Sequence, residues 1–392
     1  MITRNIKQIL AACIVCCGLA VTITSCDDIV NYNEGYTPAE QLSNTGAPVI
    51  RAVYDVADTA RLTPITEGAL NQMVVLVGDN LNQPSRISFN TVECNLSDVY
   101  TQKSQAIVRI PSTLSMEHVN KIEYATSQGI ATYDFVIPFP KLTVSRLENE
   151  FARVGSQITI YGQNFNLYGF DSGASTVSVA GTTVVPSEIT STSMRLAIPE
   201  GTPDDCHIQF SWQDQEGTAM TASLPFRPVS KLLYGDFSDT QVSIDGSVSV
   251  IVEEQNGMKG LHFTGSYGAW AWNTIDLSRN MVATVPDGSP VENLSLKFEL
   301  LTQPNFPLTE DTGLQFAFNW GDSYAWNPAD GQGINTRGEW QTITLPLAPM
   351  ATKGIKQAGE WQTLRIVFQP HAAYEADFCL SNFRIVEQKS EK

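Results

Sequence analysis

The sequence predicts an all-β protein built from small sandwiches joined in series. Three observations carry this. Short segments alternate apolar and polar residues with period two, as strands with one buried face do. Groups of such segments recur, and no amphipathic helix of useful length interrupts them. The chain has 392 residues, 42% hydrophobic and 17% charged, which suits two or three ordinary domains.

At the N-terminus Arg4 and Lys7 precede an apolar run, Ile9 to Val21, too short to span a bilayer as a stable helix. The run ends in Ile23-Thr24-Ser25-Cys26, small residues before a cysteine. Residues 1–25 therefore read as a secretory signal, with Cys26 first after cleavage. The arrangement resembles a bacterial lipoprotein signal, which implies lipidation of Cys26. Asp27-Asp28 resemble the acidic export signal of Bacteroidetes-type lipoproteins, which implies the outer face of the outer membrane. Residues 26–46 are mostly polar and suit a tether. Loss of Arg4 and Lys7 would take the net charge from −17 to −19. So acidic a body disfavours nucleic acid, anionic lipid surfaces and polyanionic ligands.

A repeat follows. MVVLVGDNL (73–81), RISFNTV (86–92) and AIVRIP (106–111) correspond to QITIYGQNF (157–165), TVSVAGTTV (176–184) and MRLAIP (194–199). The second copy carries an extra loop, NLYGFDSG (166–173). Turn residues bound each segment, and such spacing suggests small β-sandwiches over 47–138 and 139–227. The stretch Val154 to Phe165, VGSQITIYGQNF, resembles the signature of the IPT/TIG family. That implies an immunoglobulin-like fold with the glycine and asparagine in a turn where positive φ is tolerated. The first copy keeps Gly78, Asn80 and Leu81 but lacks the Val-Gly entry. The resemblance implies spacer modules without chemistry of their own.

Pro225 and Pro228 in LPFRPVSK mark a connector that limits the angles between neighbours, so a third domain is expected over 228–392. Six of the seven tryptophans lie beyond it. Leu294, Leu296, Phe298 and Leu300 alternate with Ser295, Lys297 and Glu299, which predicts one buried and one wet face. In a strand over 269–277, Ile275 and Leu277 define the core side, which turns Trp270 and Trp272 outward with Thr274 and Asp276. Trp320 shares parity with Leu314, Phe316 and Phe318 and is assigned to the core or its rim. Trp340 and Trp361 open the twin stretches GEWQTITL and GEWQTLRI and read as structural caps of strand entrances. Tyr324 and Trp326 lie in DSYAWNPADGQG (322–333), rich in turn residues and therefore a loop, where side chains either fold back or are displayed.

Displayed indole and phenol rings offer flat apolar faces on which a pyranose can stack, while amides and carboxylates bond its hydroxyls. Trp270, Trp272, Tyr324 and Trp326 are the candidate platforms. Asn273 and Asn327, with Asp322 and Asp330 nearby, are the candidate polar partners. The order of parts, with YGDFSD (234–239), GLHFTGSYGAWAWN (260–273) and GEWQTITLPL (338–347), resembles the surface glycan-binding protein B family. That implies a jelly-roll-like carbohydrate-binding sandwich that binds polysaccharide, xyloglucan being the best-known ligand, without cleaving it. It also implies an outer-membrane glycan transporter as a partner.

Two other classes compete. A jelly-roll glycoside hydrolase needs paired carboxylates across the scissile bond, and the nearest Glu-x-Asp-x-x-Glu pattern, Glu375 to Leu380, ends in leucine. An adhesin or structural lipoprotein would instead bury its aromatics and use the immunoglobulin-like modules for protein contacts. No cofactor or metal is expected: His118, His207, His262 and His371 are scattered, and no Cys-x-x-Cys follows Cys26. Cys94, Cys206 and Cys379 are expected as three separate buried thiols.

Overall fold

Most of the alternating segments are strands in the computed structural model, which describes residues 43–113, 119–214, 217–282 and 289–388. Cys26, the signal segment and nearly all of the tether lie outside these residues. Among the described residues every helical segment is a 3-10 turn of three or four residues. The chain divides into two compact units, residues 1–139 and 140–392.

The first unit pairs two four-stranded antiparallel sheets. One runs Val49–Asp55, Met73–Asp79, Gln105–Arg109, Tyr100–Gln102, and the other Val92–Glu93, Arg86–Phe89, Lys121–Thr126, Gly129–Asp134. Val53, Leu76, Phe89, Val108, Ile122 and Phe135 fill the space between them. The second unit opens with a similar module. Its sheets are Ser193–Ala197, Gln157–Gln163, Thr143–Leu147 and Thr182–Val184, Thr176–Val179, Cys206–Gln213, Ala219–Phe226.

The repeated glycine and asparagine divide their labour differently from the sequence expectation. Positive φ belongs to the asparagines, Asn80 at 56° and Asn164 at 65°. Each also donates its side-chain amide to the entering chain, to the carbonyls of Ala47 (3.1 Å) and Lys141 (2.8 Å) respectively. The glycines serve close approach. A Cβ on Gly78 would lie 1.8 Å from the Val49 carbonyl oxygen, and one on Gly162 would lie 2.0 Å from that of Thr143. Both glycines sit beside a register shift in the neighbouring pairing, so the motif builds a bulge in each module.

The remainder of the second unit is a two-sheet antiparallel sandwich. A back sheet holds Ser249–Gln255, Met258–Tyr267, Tyr374–Glu387, Leu294–Thr302 and Gln341–Pro346, with Leu232–Tyr234 also on Tyr374–Glu387. A front sheet holds Gln241–Asp245, Asn273–Asn280, Trp361–Phe368, Leu314–Phe318 and Tyr324–Ala325. One core joins them, including Phe263, Leu296, Phe298 and Leu380 from the back and Ile275, Phe316, Leu364 and Ile366 from the front.

The polar side of Leu294–Thr302 is not wet as its alternation predicts. Ser295 and Glu299 are both buried, and the immunoglobulin-like module docks beside Glu299. Its Glu150 pairs with Lys297 and, at 2.7 Å, with Arg384, which also holds Glu299 at 2.9 Å. The Thr342 hydroxyl donates to Glu299 (2.8 Å) and accepts from the Glu150 backbone N–H (2.8 Å). Arg384 also lies over the Phe151 ring, 4.9 Å from its centroid. Two carboxylates and two cations leave no unpaired buried charge, which is the condition for such a cluster to persist in a low-dielectric joint.

Candidate functional site

The front sheet presents its outer face through one central strand pair, Asn273–Asn280 against Trp361–Phe368, in unbroken register from Asn273↔Phe368 to Asn280↔Trp361. Exposed indoles stand at both ends. Trp270 is 62% exposed and Trp272 54% exposed just ahead of Asn273, and Trp361 is 52% exposed at the far end. Seven residue steps at roughly 3.4 Å separate the ends by about 24 Å.

The exposure of Trp270 and Trp272 arises from a turn and not from strand parity. The strand begins at Asn273, four residues later than the sequence suggests. Before it, the Ala271 N–H reaches the Gly268 carbonyl (3.3 Å), and Trp270 adopts φ 64°. Trp270 donates its backbone N–H to the Pro370 carbonyl (2.6 Å) and stacks its ring on His371, centroids 5.0 Å apart and 29° between planes. One indole face is thereby backed and the other left free.

Asn273 does not face a ligand; this corrects the sequence assignment. It is fully buried and accepts from the Ser247 N–H (2.9 Å) while donating to the carbonyls of Ala271 and Phe368, both 3.1 Å. Its parity with Ile275 and Leu277 places it inward, where the amide replaces solvent for backbone groups at the strand entrance. It pins the tryptophan-bearing turn. Gly246 must be glycine beside it: φ is 106°, and a Cβ would fall 2.7 Å from the Asn273 Oδ1 and 2.8 Å from the Trp272 carbonyl.

Trp326 is likewise no platform. It is 7% exposed and packs edge-on against Phe298 (5.7 Å, 86°) and tilted on Phe316 (6.3 Å, 50°). Its backbone N–H donates to the Leu314 carbonyl (2.9 Å), so the segment folds back onto the sheet. Tyr324 pairs with Phe316 in the two-residue strand Tyr324–Ala325, and its half-buried ring packs on the core. Asn327, Asp322 and Asp330 are exposed. Only Trp270 and Trp272 of the four candidate rings stand free.

Sequence parity misplaced a further ring. Trp320 is 55% exposed, because Asn319 and Trp320 both take positive φ, 52° and 62°, and the Gly321 N–H closes on the Phe318 carbonyl (2.9 Å). The chain reverses there, and the strand ends at Phe318. Its indole lies on the Arg365 guanidinium, 3.8 Å from the ring centroid. The Asn-Trp-Gly sequence was the available turn signal. Trp361 is exposed where a cap was expected, whereas its twin Trp340 is buried beside Leu301 and Cys379 and donates its indole N–H to the Gln255 carbonyl (2.9 Å).

Other chemistry is occupied elsewhere. Asp377 bonds His262 (2.8 Å), whose other ring nitrogen meets Glu253. Cys94, Cys206 and Cys379 are free thiols, but only Cys379 is fully buried. Burial pushes Cys94 and Cys379 up to about 12, which leaves them un-ionised and unreactive near neutrality. A cleft of about 1330 Å³ opens at the joint with the immunoglobulin-like module. It is lined by Arg153, Asp236, Lys259, Arg337 and Trp340, and none of the four exposed indoles described above lines it.

Comparison with known proteins places these observations. Residues 236–387 match the model of the surface glycan-binding protein B xyloglucan binding domain, and residues 142–227 match the IPT/TIG domain. A curated relative, an IPT/TIG domain-containing protein of Bacteroides ovatus, is 26% identical over 125 residues, or 30% of this chain. The match spans 25% of that relative's length. Among solved structures, a surface glycan-binding protein B of Prevotella bryantii superposes with TM-score 0.55 at 19% identity, over 88% of this chain and 100% of its own. A second, from a complex xyloglucan utilization locus in Bacteroides uniformis, gives 0.47 at 16% identity over 87% and 99%. The likeness to the Prevotella protein shows a shared fold.

Proposed function

We propose that this protein captures polysaccharide at the cell surface without cleaving it, because residues 236–387 match the surface glycan-binding protein B xyloglucan binding domain and residues 142–227 match the IPT/TIG domain. The ligand is xyloglucan or another mostly neutral glycan. The observation that carries the proposal is the pair of free indoles, Trp270 and Trp272, on a turn pinned by Asn273, Pro370 and His371. A pinned ring loses little conformational freedom on binding, so more of the stacking energy appears as affinity. By analogy with base stacking on aromatics, each ring contributes roughly 1–3 kcal/mol. In this reading Cys26 carries the lipid that holds the protein at the outer membrane, the IPT/TIG-like modules act as spacers, and a glycan transporter receives the captured chain.

Affinity electrophoresis against a panel of neutral glycans tests the proposal. Xyloglucan or a related β-glucan should retard the parent protein, and Trp270→Ala and Trp272→Ala should each relieve much of the retardation. Indifference to every glycan would favour an adhesin, and release of new reducing ends would identify an enzyme.

A further inference from the structure

A second aromatic feature lies between the terminal indoles. On the outer face of the front sheet Asp276 and Arg365 are directly paired across the central strands, and Ala317 is the next residue across. Asp276 grips Arg365 with both oxygens, 2.7 Å to Nε and 2.8 Å to Nη2. This bidentate grip fixes the plane of the guanidinium. The guanidinium carbon sits over the Trp320 ring, 3.8 Å from its centroid, the ring being brought there by the reversal at Asn319 and Trp320. The methyl of Ala317, itself buried, offers no bulk that would lift the ring. The Asn319 side chain fixes the turn from the other side, donating to the Gly354 carbonyl (2.9 Å) and accepting from the Thr363 N–H (3.3 Å).

We propose that Trp320 is a third sugar-stacking ring, in the middle of the front sheet, and that Arg365, held by Asp276, is the positioning residue that keeps its outer face turned to the ligand. The proposal rests on the glycan-binding function inferred above. Arg365 holds the ring by stacking beneath it, while Asp276 cancels its charge, so the middle of the site offers a neutral floor. An extended neutral chain running along the central strand pair would meet aromatic faces at both ends and at its centre.

The full chain tests this with two probes, xyloglucan and mixed-linkage β-glucan, and with acrylamide quenching of tryptophan emission. Trp320→Ala should weaken binding of a retained glycan roughly 10-fold. Arg365→Lys keeps the charge but loses the planar stack, and should weaken binding at least about 3-fold in the parent but not in the Trp320→Ala background. Without any glycan, the emission component removed by Trp320→Phe should become more accessible to acrylamide in Arg365→Lys. Full binding by Trp320→Ala beside weakened Trp270→Ala would overturn the third ring. An equal Arg365→Lys effect in both backgrounds, or unchanged quenching, would overturn the positioning role. If the parent binds neither glycan, the third ring falls with the functional reading, while the quenching result still decides the positioning role.

Discussion

Asn273 and Trp326 belong to the scaffold, while Trp270 and Trp272 stand on it, and substitution should separate the two classes. Trp326→Ala would empty a space between Phe298 and Phe316, a loss of about 3–5 kcal/mol for a large core aromatic. We expect it to lower the denaturant midpoint strongly, with any glycan effect following from unfolding. Trp270→Ala should leave the midpoint nearly unchanged and act on binding alone. Asn273→Ala should do both. It removes bonds to the Ser247 N–H and the Ala271 carbonyl, which water can reach, and to the buried Phe368 carbonyl, where an unsatisfied group costs about 1–3 kcal/mol, and it frees the turn that carries the rings. Equilibrium unfolding measured beside glycan retardation distinguishes the three outcomes.

Within the second unit, the strands Leu294–Thr302, Gln341–Pro346 and Tyr374–Glu387 form a docking surface for the immunoglobulin-like module through the Glu150 cluster. Burial works to raise the Glu150 carboxyl, but Arg384 and Lys297 outweigh it and hold the group below 4.5. A carboxyl lowered in the folded state contributes stability that is complete above its unfolded value and is lost as pH falls through the folded one. Glu299 has the opposite sign, since burial pushes it up despite Arg384. Glu150→Gln should therefore destabilise the unit at pH 7, by about 3–5 kcal/mol where one partner of a buried pair is removed. The deficit should shrink as pH falls below about 4.5. Glu299→Gln should cost less at pH 7. Thermal unfolding of the two variants across pH 3–7 checks the order and the slope; equal losses at neutral pH would contradict this account.

The whole molecule carries a net charge of −17, and the pairing of Arg365 with Asp276 keeps a free cation off the centre of the candidate site. A neutral glycan stacking on indoles neither gains from nor suffers that field. Raising NaCl from about 0.05 to 0.5 M screens charges to within a few ångströms, yet xyloglucan affinity should change less than about twofold. A polygalacturonate chain should bind poorly throughout, because a long anion must approach an acidic body. Steep salt dependence with xyloglucan would mean that charge, and not stacking, holds the ligand.

Local chemistry determined the fold class and the positions of most strands. Period-two alternation and turn residues act over a few neighbours, which is why the repeat at Gly78 and Gly162, the strand Leu294–Thr302 and the tryptophan-rich C-terminal sandwich were legible. The tertiary structure alone decided which rings reach solvent. Parity holds only while the chain continues as a strand, and positive φ at Trp270, Asn319 and Trp320 ended it where the exposed indoles stand. It alone also showed that the polar face around Glu299 is sealed, since the sealing group, Glu150, lies 149 positions earlier in the chain. A side chain's environment is set by whatever packs against it, and neighbours that distant leave no local pattern to read.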